Sequence, residues 1–326
     1  MRCPLAAAAV LSVAAGPLAG CGSRPPAGQN PPLFSFGRTG MGPGEFNYPR
    51  AACVGPDGLL YVVDKAGRMQ AFTQSGELVR AWRMPLIDAG KPTGLGIGPE
   101  GRVYAADTHY NRVMVFEADG TPAGQFGRFG DGPGQFRLPT DVALDADGYI
   151  YVSEYGGNDR ISKFSPRREY LFSFGGREAG EGRLNRPQSV WIAADGTLWV
   201  ADACNHRICR FDRDGRYLGS FGRLGGGPGE LRFPYNVVVL PDGTLVVCEY
   251  GNNRLQRFDA SGRSQGVWGR PGRKPGELAY PWALALGADD RLFVIDSGNN
   301  RVQVLAGRSA STWTRPIEHP ARTSPQ

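Results

Sequence analysis

The sequence predicts an all-β fold in which six four-stranded antiparallel sheets close into a ring, and three observations predict it. Prolines recur at Pro49, Pro92, Pro139, Pro187, Pro234 and Pro281, spaced by 43, 47, 48, 47 and 47 residues. An acid keeps identical spacings at Asp64, Asp107, Glu154, Asp202, Glu249 and Asp296. Each acid is followed by an arginine (Arg68, Arg112, Arg160, Arg207, Arg254, Arg301). Aromatics at Phe36, Trp82, Phe126, Phe174, Phe221 and Trp268 close the units. The 326 residues include 48 glycines and 26 prolines, yet 41% are hydrophobic and 10% aromatic. That balance fits short strands and frequent turns rather than disorder. Repeats of about 47 residues, each with four short strands, are the arrangement of a six-bladed β-propeller.

The elements follow in chain order. Met1 and Arg2 precede an apolar stretch from Pro4 to Leu18, followed by Leu18-Ala19-Gly20-Cys21. A short apolar segment ending in small residues reads as an export signal. The four residues before and at the cysteine resemble the bacterial lipobox, which implies a signal peptide over 1–20 and a lipid on Cys21. Gly22 after the cysteine favours the outer membrane. Residues 21–32, rich in proline, read as a tether of about 20–30 Å. The expected location is therefore outside the cytoplasm, anchored by lipid to a bacterial membrane, at the outer membrane or cell surface. No apolar run reaches the roughly 18 residues of a membrane-spanning helix.

The fourth repeat displays the unit clearly. Ser189 to Ile192 reads as a strand, Asp195-Gly196 as a hairpin turn and Thr197 to Ala201 as the second strand. A polar loop, Asp202 to His206, leads to a third strand from Arg207 to Phe211. Asp214-Gly215 is a further turn, and Tyr217 to Phe221 is the fourth strand. The sixth repeat lacks this last strand, while Leu33 to Gly37 (LFSFG) matches Leu171 to Gly175 (LFSFG). The N-terminal strand is therefore expected to complete the last blade, removing the open sheet edges. Residues 33–306 then form one domain, and 307–326 read as a flexible tail.

Pro-x-x-Val, Asp-Gly, Tyr-Val-Ala-Asp, Asn-His-Arg and Phe-Asp-x-x-Gly, with Phe-Gly and Gly-Pro-Gly-Glu linkers, resemble the NHL repeat. Residues 187–222 match it best, Asn205-His206-Arg207 included. The resemblance implies a six-bladed propeller but no single function, because functions are grafted onto folds. NHL propellers include RNA-binding modules, ubiquitin-ligase substrate modules, bacterial sensor domains and an amidating lyase.

Positions filled alike in every blade serve the fold. The acid–arginine pairs therefore read as structural braces, and the Asp-Gly steps as turns. Residues that vary at the mouth of the central channel are the candidates for ligand binding. After each proline come Arg50, Thr93, Thr140, Gln188, Tyr235 and Trp282, and one position on stand Asp141 and Asn236. These eight form the expected ligand-binding set. Arg50, Arg137, Arg186 and Arg232 add positive charge at that face, consistent with the net charge of +6 and with attraction of anions.

The resemblance to the amidating lyase implies a zinc ion held by three histidines. The chain has three histidines, His109, His206 and His319, and none follows a repeat proline. No metal ligand set, cofactor or catalytic residue is assigned. Cys53, Cys204, Cys209 and Cys248 read as buried free thiols, since no Cys-x-x-Cys pair occurs. The expectation is a monomeric binding or scaffold module at the cell envelope, recognising a protein, peptide or glycan. Nucleic acid is disfavoured because the chain is expected to be exported. The alternative is a propeller enzyme, either a metal-dependent lyase or a lactonase-like hydrolase.

Overall fold

Strand pairing follows the repeat. A computed structural model describes residues 30–309 and 312–314. The expected signal peptide, Cys21, the tether as far as residue 29 and most of the tail lie outside the described residues. Blade 1 comprises Pro49–Val54, Leu60–Asp64, Arg68–Phe72 and Leu78–Arg83. Blade 2 comprises Gly94–Ile97, Val103–Asp107, Arg112–Phe116 and Pro122–Phe126. Blade 3 comprises Pro139–Leu144, Ile150–Glu154, Arg160–Phe164 and Tyr170–Phe174. Blade 4 comprises Pro187–Ile192, Leu198–Asp202, Arg207–Phe211 and Tyr217–Phe221. Blade 5 comprises Pro234–Val239, Leu245–Glu249, Arg254–Phe258 and Ser264–Trp268. In blade 6, Ala283–Leu286, Arg291–Asp296 and Arg301–Ala306 are joined by the N-terminal Phe34–Phe36. The closing register pairs Phe34 with Val304, Ser35 with Gln303 and Phe36 with Val302.

The core is divided among the seams between blades. Six apolar clusters each join two neighbours, as where Tyr61, Val63 and Met69 of blade 1 meet Val103, Ala105 and Phe116 of blade 2. The third strand of blades 1 to 5 ends in a fully buried phenylalanine: Phe72, Phe116, Phe164, Phe211 and Phe258. Truncating any one of them to Ala costs about 3–5 kcal/mol. Each Gly-rich linker drops an anchor into a seam, and Phe46, Phe136, Leu184, Leu231 and Leu278 are all buried. Gly37 precedes the first of these anchors with φ +84°, and a Cβ there would lie 2.3 Å from the Phe46 ring. Only glycine serves at that position.

The acid–arginine pairs are braces. In blade 5 Arg254 Nε donates to Glu249 Oε1 (2.6 Å) while its other nitrogens donate to the Gly226, Gly227 and Glu230 carbonyls of the incoming linker. Glu249 in turn accepts from Arg232 N (3.2 Å). Burial raises the carboxyl pKa of Asp107, Glu154, Glu249 and Asp296 against the lowering effect of their arginines. Asp107 and Arg112 are the exception in connectivity. The linker into blade 2 lacks the Gly-Pro-Gly-Glu turn, and Asp107 Oδ1 and Arg112 Nη2 are buried without partners.

A second device latches one blade to the next. Asn111, Asp159, Asn253 and Asn300, all at positive φ, offer a side-chain oxygen to the backbone N–H of the residue before the next blade's proline. The four bonds reach Leu138 (3.0 Å), Arg186 (2.9 Å), Tyr280 (2.6 Å) and Tyr48 (2.6 Å). His206 Nδ1 does the same for Phe233 N (3.1 Å).

The described part of the expected tail is packed. Trp313 is 6% exposed within the seam between blades 5 and 6, and its Nε1 donates to Gly307 O (2.9 Å). Thr314 pairs with Val267 on the outer strand of blade 5. A single tryptophan in a stretch without periodicity supplies the apolar area that holds this segment down. The chain is also pinned before the first strand, where Trp268 Nε1 donates to Asn30 O (2.9 Å).

Candidate binding site at the channel mouth

The innermost strands surround a central cavity of about 240 Å³. Its mouth is shaped by a repeated irregularity. In blades 1, 3, 4 and 5 the pairing with the second strand shifts register just after the proline, between Pro49 and Ala51, Pro139 and Asp141, Pro187 and Ser189, and Pro234 and Asn236. Arg50, Thr140, Gln188 and Tyr235 are thus the extra residues of bulges, which re-aim a side chain out of the sheet's alternation. In blades 2 and 6 the paired strand begins later, at Gly94 and Ala283, so Thr93 and Trp282 stand just ahead of it.

Seven of the eight expected residues line the cavity: Arg50, Thr93, Asp141, Gln188, Tyr235, Asn236 and Trp282. Thr140 does not. It is buried, its hydroxyl lies 2.8 Å from Ser153 Oγ, and it donates to Pro187 O (2.6 Å), bracing blade 3 against blade 4. Its hydroxyl has an acceptor on the neighbouring blade, so the bulge turns it into the seam rather than the channel. Thr93 combines both roles, since its hydroxyl donates to Thr140 O (3.0 Å).

Aromatic side chains converge at the rim. Tyr235 stacks on Tyr250 at 4.3 Å between centroids and meets Trp282 edge-on at 4.9 Å. Tyr48 packs edge-on against Trp282 at 5.9 Å, and Tyr280 tilts against Tyr250 at 5.3 Å. Burial, then contact with Tyr250, raises the Tyr48 hydroxyl pKa above its ordinary value. The Arg50 guanidinium lies 5.0 Å from the Trp282 ring, and that of Arg186 lies 5.0 Å from Tyr155 and 5.9 Å from Tyr235.

Sequence reasoning left Tyr48, Tyr155, Tyr250 and Tyr280 out of the site. Two columns of the repeat contain them. The residues before the prolines are Tyr48, Lys91, Leu138, Arg186, Phe233 and Tyr280. Those after the acids are Lys65, Thr108, Tyr155, Ala203, Tyr250 and Ser297. Both columns vary as strongly as the one after the proline, and in blades 1, 3, 4 and 5 the antiparallel pairing of the proline with its acid, as for Pro49 and Asp64, sets them beside it.

Below the rim the wall is polar at a few points. Gln188 Oε1, Ser189 Oγ and Asn236 Oδ1 are buried without hydrogen-bond partners. Asp141 Oδ2 accepts from Val190 N (3.0 Å), and burial lifts its carboxyl from 3.8 to about 7. Asp141 sits close under blade 2, where a Cβ on Gly94 would lie 2.4 Å from the Asp141 Cα. The three-histidine zinc set does not form among the described residues. His109 belongs to a turn of blade 2, His206 latches blade 4 to blade 5, and His319 lies outside them. Among the described residues no three His, Cys, Asp or Glu side chains gather as a metal-binding group. Cys53, Cys204, Cys209 and Cys248 are free thiols.

The NHL repeat family model matches residues 184–211 and 278–305, which fall on blades 4 and 6. The chain is 30% identical over 177 residues to NHL repeat-containing protein 3 of Mus musculus, covering 47% of this chain and 49% of that protein. It is 38% identical over 115 residues to the E3 ubiquitin-protein ligase NHLRC1 of Homo sapiens, covering 34% of this chain and 27% of the ligase. The alignments thus span half or less of these curated relatives. A streptogramin B lyase structure superposes with a TM-score of 0.61 at 16% identity, over 83% of this chain and 96% of the lyase. At that identity the likeness is one of fold. With six four-stranded blades in a ring, the chain is a six-bladed β-propeller, and it carries matched NHL repeats on blades 4 and 6.

Proposed function

We propose that the propeller is a recognition module that binds its ligand or partner protein through the channel-mouth face, at the cell envelope, with the chain held to a membrane by lipid on Cys21. The observation that carries the reading is the aromatic–arginine rim around Tyr235 and Trp282. The scaffold elsewhere repeats from blade to blade, whereas this rim does not. Aromatic and arginine side chains together are the residue types that dominate binding energy at interfaces. The kinship with NHL repeat-containing proteins agrees with a binding or scaffold role.

The test compares the wild-type chain with a Tyr235→Ala, Trp282→Ala variant in cross-linked capture from the native envelope. Loss of the captured partner, with melting retained, supports the mouth. Equal capture by both proteins sinks it.

A second reading, a propeller enzyme, has Asp141 in its favour, because a carboxyl lifted to about 7 in a cavity wall is suited to proton transfer near neutrality. Among the described residues Asp141 is the sole acid lining the cavity. This reading therefore assigns it the proton transfer without a carboxylate partner.

A further inference from the structure

We infer that the channel mouth is an oxyanion site, taking a small molecule whose carboxylate or phosphate group sits between Arg50 and Arg186 and whose planar body lies on Tyr235 and Trp282. The inference deepens the binding reading above and rests on it.

The two arginines come from blades 1 and 4, three positions apart in a ring of six, and so from opposite sides of the mouth. Some arginines of this face and of the linkers have carboxylate partners. Arg137, the third arginine of this face, pairs with Asp131, and linker arginines pair with linker glutamates, as Arg223 does with Glu230. Neither Arg50 nor Arg186 forms an ion pair among the described residues. Asp159, beside Arg186, accepts from its backbone N–H rather than from its guanidinium. The Nε atoms of both arginines are buried without an acceptor.

A buried guanidinium donor without an acceptor is costly. Placing the cation over an aromatic ring recovers part of that cost while leaving the N–H groups unspent. An oxyanion supplies the missing acceptors, and the planar guanidinium fork matches its geometry. Arg50 lines the cavity, where the field of an uncompensated charge is little screened. The acid beneath, Asp141, does not oppose an anion at pH 6, because burial keeps its carboxyl largely protonated there. Gln188 Oε1, in the same repeat column as Arg50, and Asn236 Oδ1, in the same column as Asp141, are buried acceptors available to donors on the ligand. A cavity of about 240 Å³ admits one ring with short substituents and no folded chain.

The experiment is calorimetric titration of the full chain at pH 6 and low salt with three probes: 4-hydroxyphenylacetate, phenyl phosphate and the neutral 4-hydroxyphenylacetamide. The two anions should bind at least tenfold more tightly than the amide. Arg50→Gln and Arg186→Gln should each weaken the anions at least tenfold. Arg263→Gln, an exposed arginine in the turn between the third and fourth strands of blade 5, should leave binding within twofold. Equal affinity for acid and amide, or undiminished binding by Arg50→Gln and Arg186→Gln variants that melt like wild type, overturns the inference. So does failure of all three probes. In that case continued dependence of partner capture on Tyr235 and Trp282 would leave the recognition reading standing alone.

Discussion

Replacing Asp141 with asparagine should flatten the pH dependence of stability and make the propeller more stable above neutrality. The side chain is in the cavity wall, only 9% of the residue is exposed, and no basic group offsets its charge. Burial raises the folded-state pKa to about 7, against the lowering effect of the Val190 and Val142 N–H groups, whereas the unfolded chain titrates near 3.8. Between those values the folded state holds a proton that the unfolded state has released. Stability therefore falls as pH rises from about 4 to about 7, and is level above that. At 1.36 kcal/mol per unit the interval amounts to about 4 kcal/mol. Asparagine keeps the shape and the acceptor for Val190 N without the charge. The variant should match wild type near pH 4 and exceed it by up to about 4 kcal/mol at pH 8, roughly 8–16 °C in Tm for a domain of this size. Buried acids of the braces also titrate, but they do so in both proteins, so the difference between the two isolates residue 141. Melts of both proteins at half-unit intervals from pH 4 to 8 read the effect. Parallel curves, or a variant less stable than wild type at pH 8, would refute the assigned burial of charge.

Four further outcomes follow from the same structure. Deleting residues 33–36 removes the strand paired with Val302 and Val304 and the Phe36 ring set 5.2 Å from Phe72. The cooperative melt should fall by at least 10 °C, and an unchanged melt would contradict closure through blade 6. Asn300→Ala loses the bonds to Tyr48 N and Thr39 Oγ1. It should cost about 1–3 kcal/mol in chemical denaturation. Trp313→Ala empties a buried place beside Trp268 and Leu305 and should cost about 3–5 kcal/mol, while a neutral result would show that the segment does not dock. Cys21→Ala should move the protein from the membrane to the soluble fraction on cell fractionation, and persistent membrane association would refute the lipid anchor.

The ring was legible in the sequence because its energetics repeat. Every blade carries the acid–arginine brace, and five of the six carry a buried phenylalanine at the end of the third strand, so the copies stood out at nearly fixed spacing. The split blade was legible for the same reason, since LFSFG occurs twice. The site was legible only in part. The column after the proline pointed to Arg50, Gln188, Tyr235 and Trp282, which line the cavity. Nothing local to the sequence says that this column is a bulge, or that Thr140 would spend its hydroxyl on the Pro187 carbonyl. That bond depends on the distance between blades, which is a property of the closed ring. The tyrosines after the acids were hidden because Lys65, Ala203 and Ser297 occupy the same column in other blades.

This division has a physical origin. Stability resides in the seams and braces, and the inner strands contribute mostly small or aliphatic side chains to those seams. Substitution at the rim therefore changes few core contacts, and the six mouths can diverge without opening the ring. The latches carry this separation to the backbone. Tyr48, Leu138, Arg186, Phe233 and Tyr280 all take positive φ, a conformation costly for bulky side chains. Each is held there by a bond from the preceding blade to its backbone N–H, a group every residue type but proline possesses. The fold thus fixes the main chain at the mouth while leaving the side chain undetermined. Arg50 and Arg186, whose buried Nε atoms lack acceptors, can persist there because the scaffold asks nothing of them, and the proposed oxyanion would supply those acceptors.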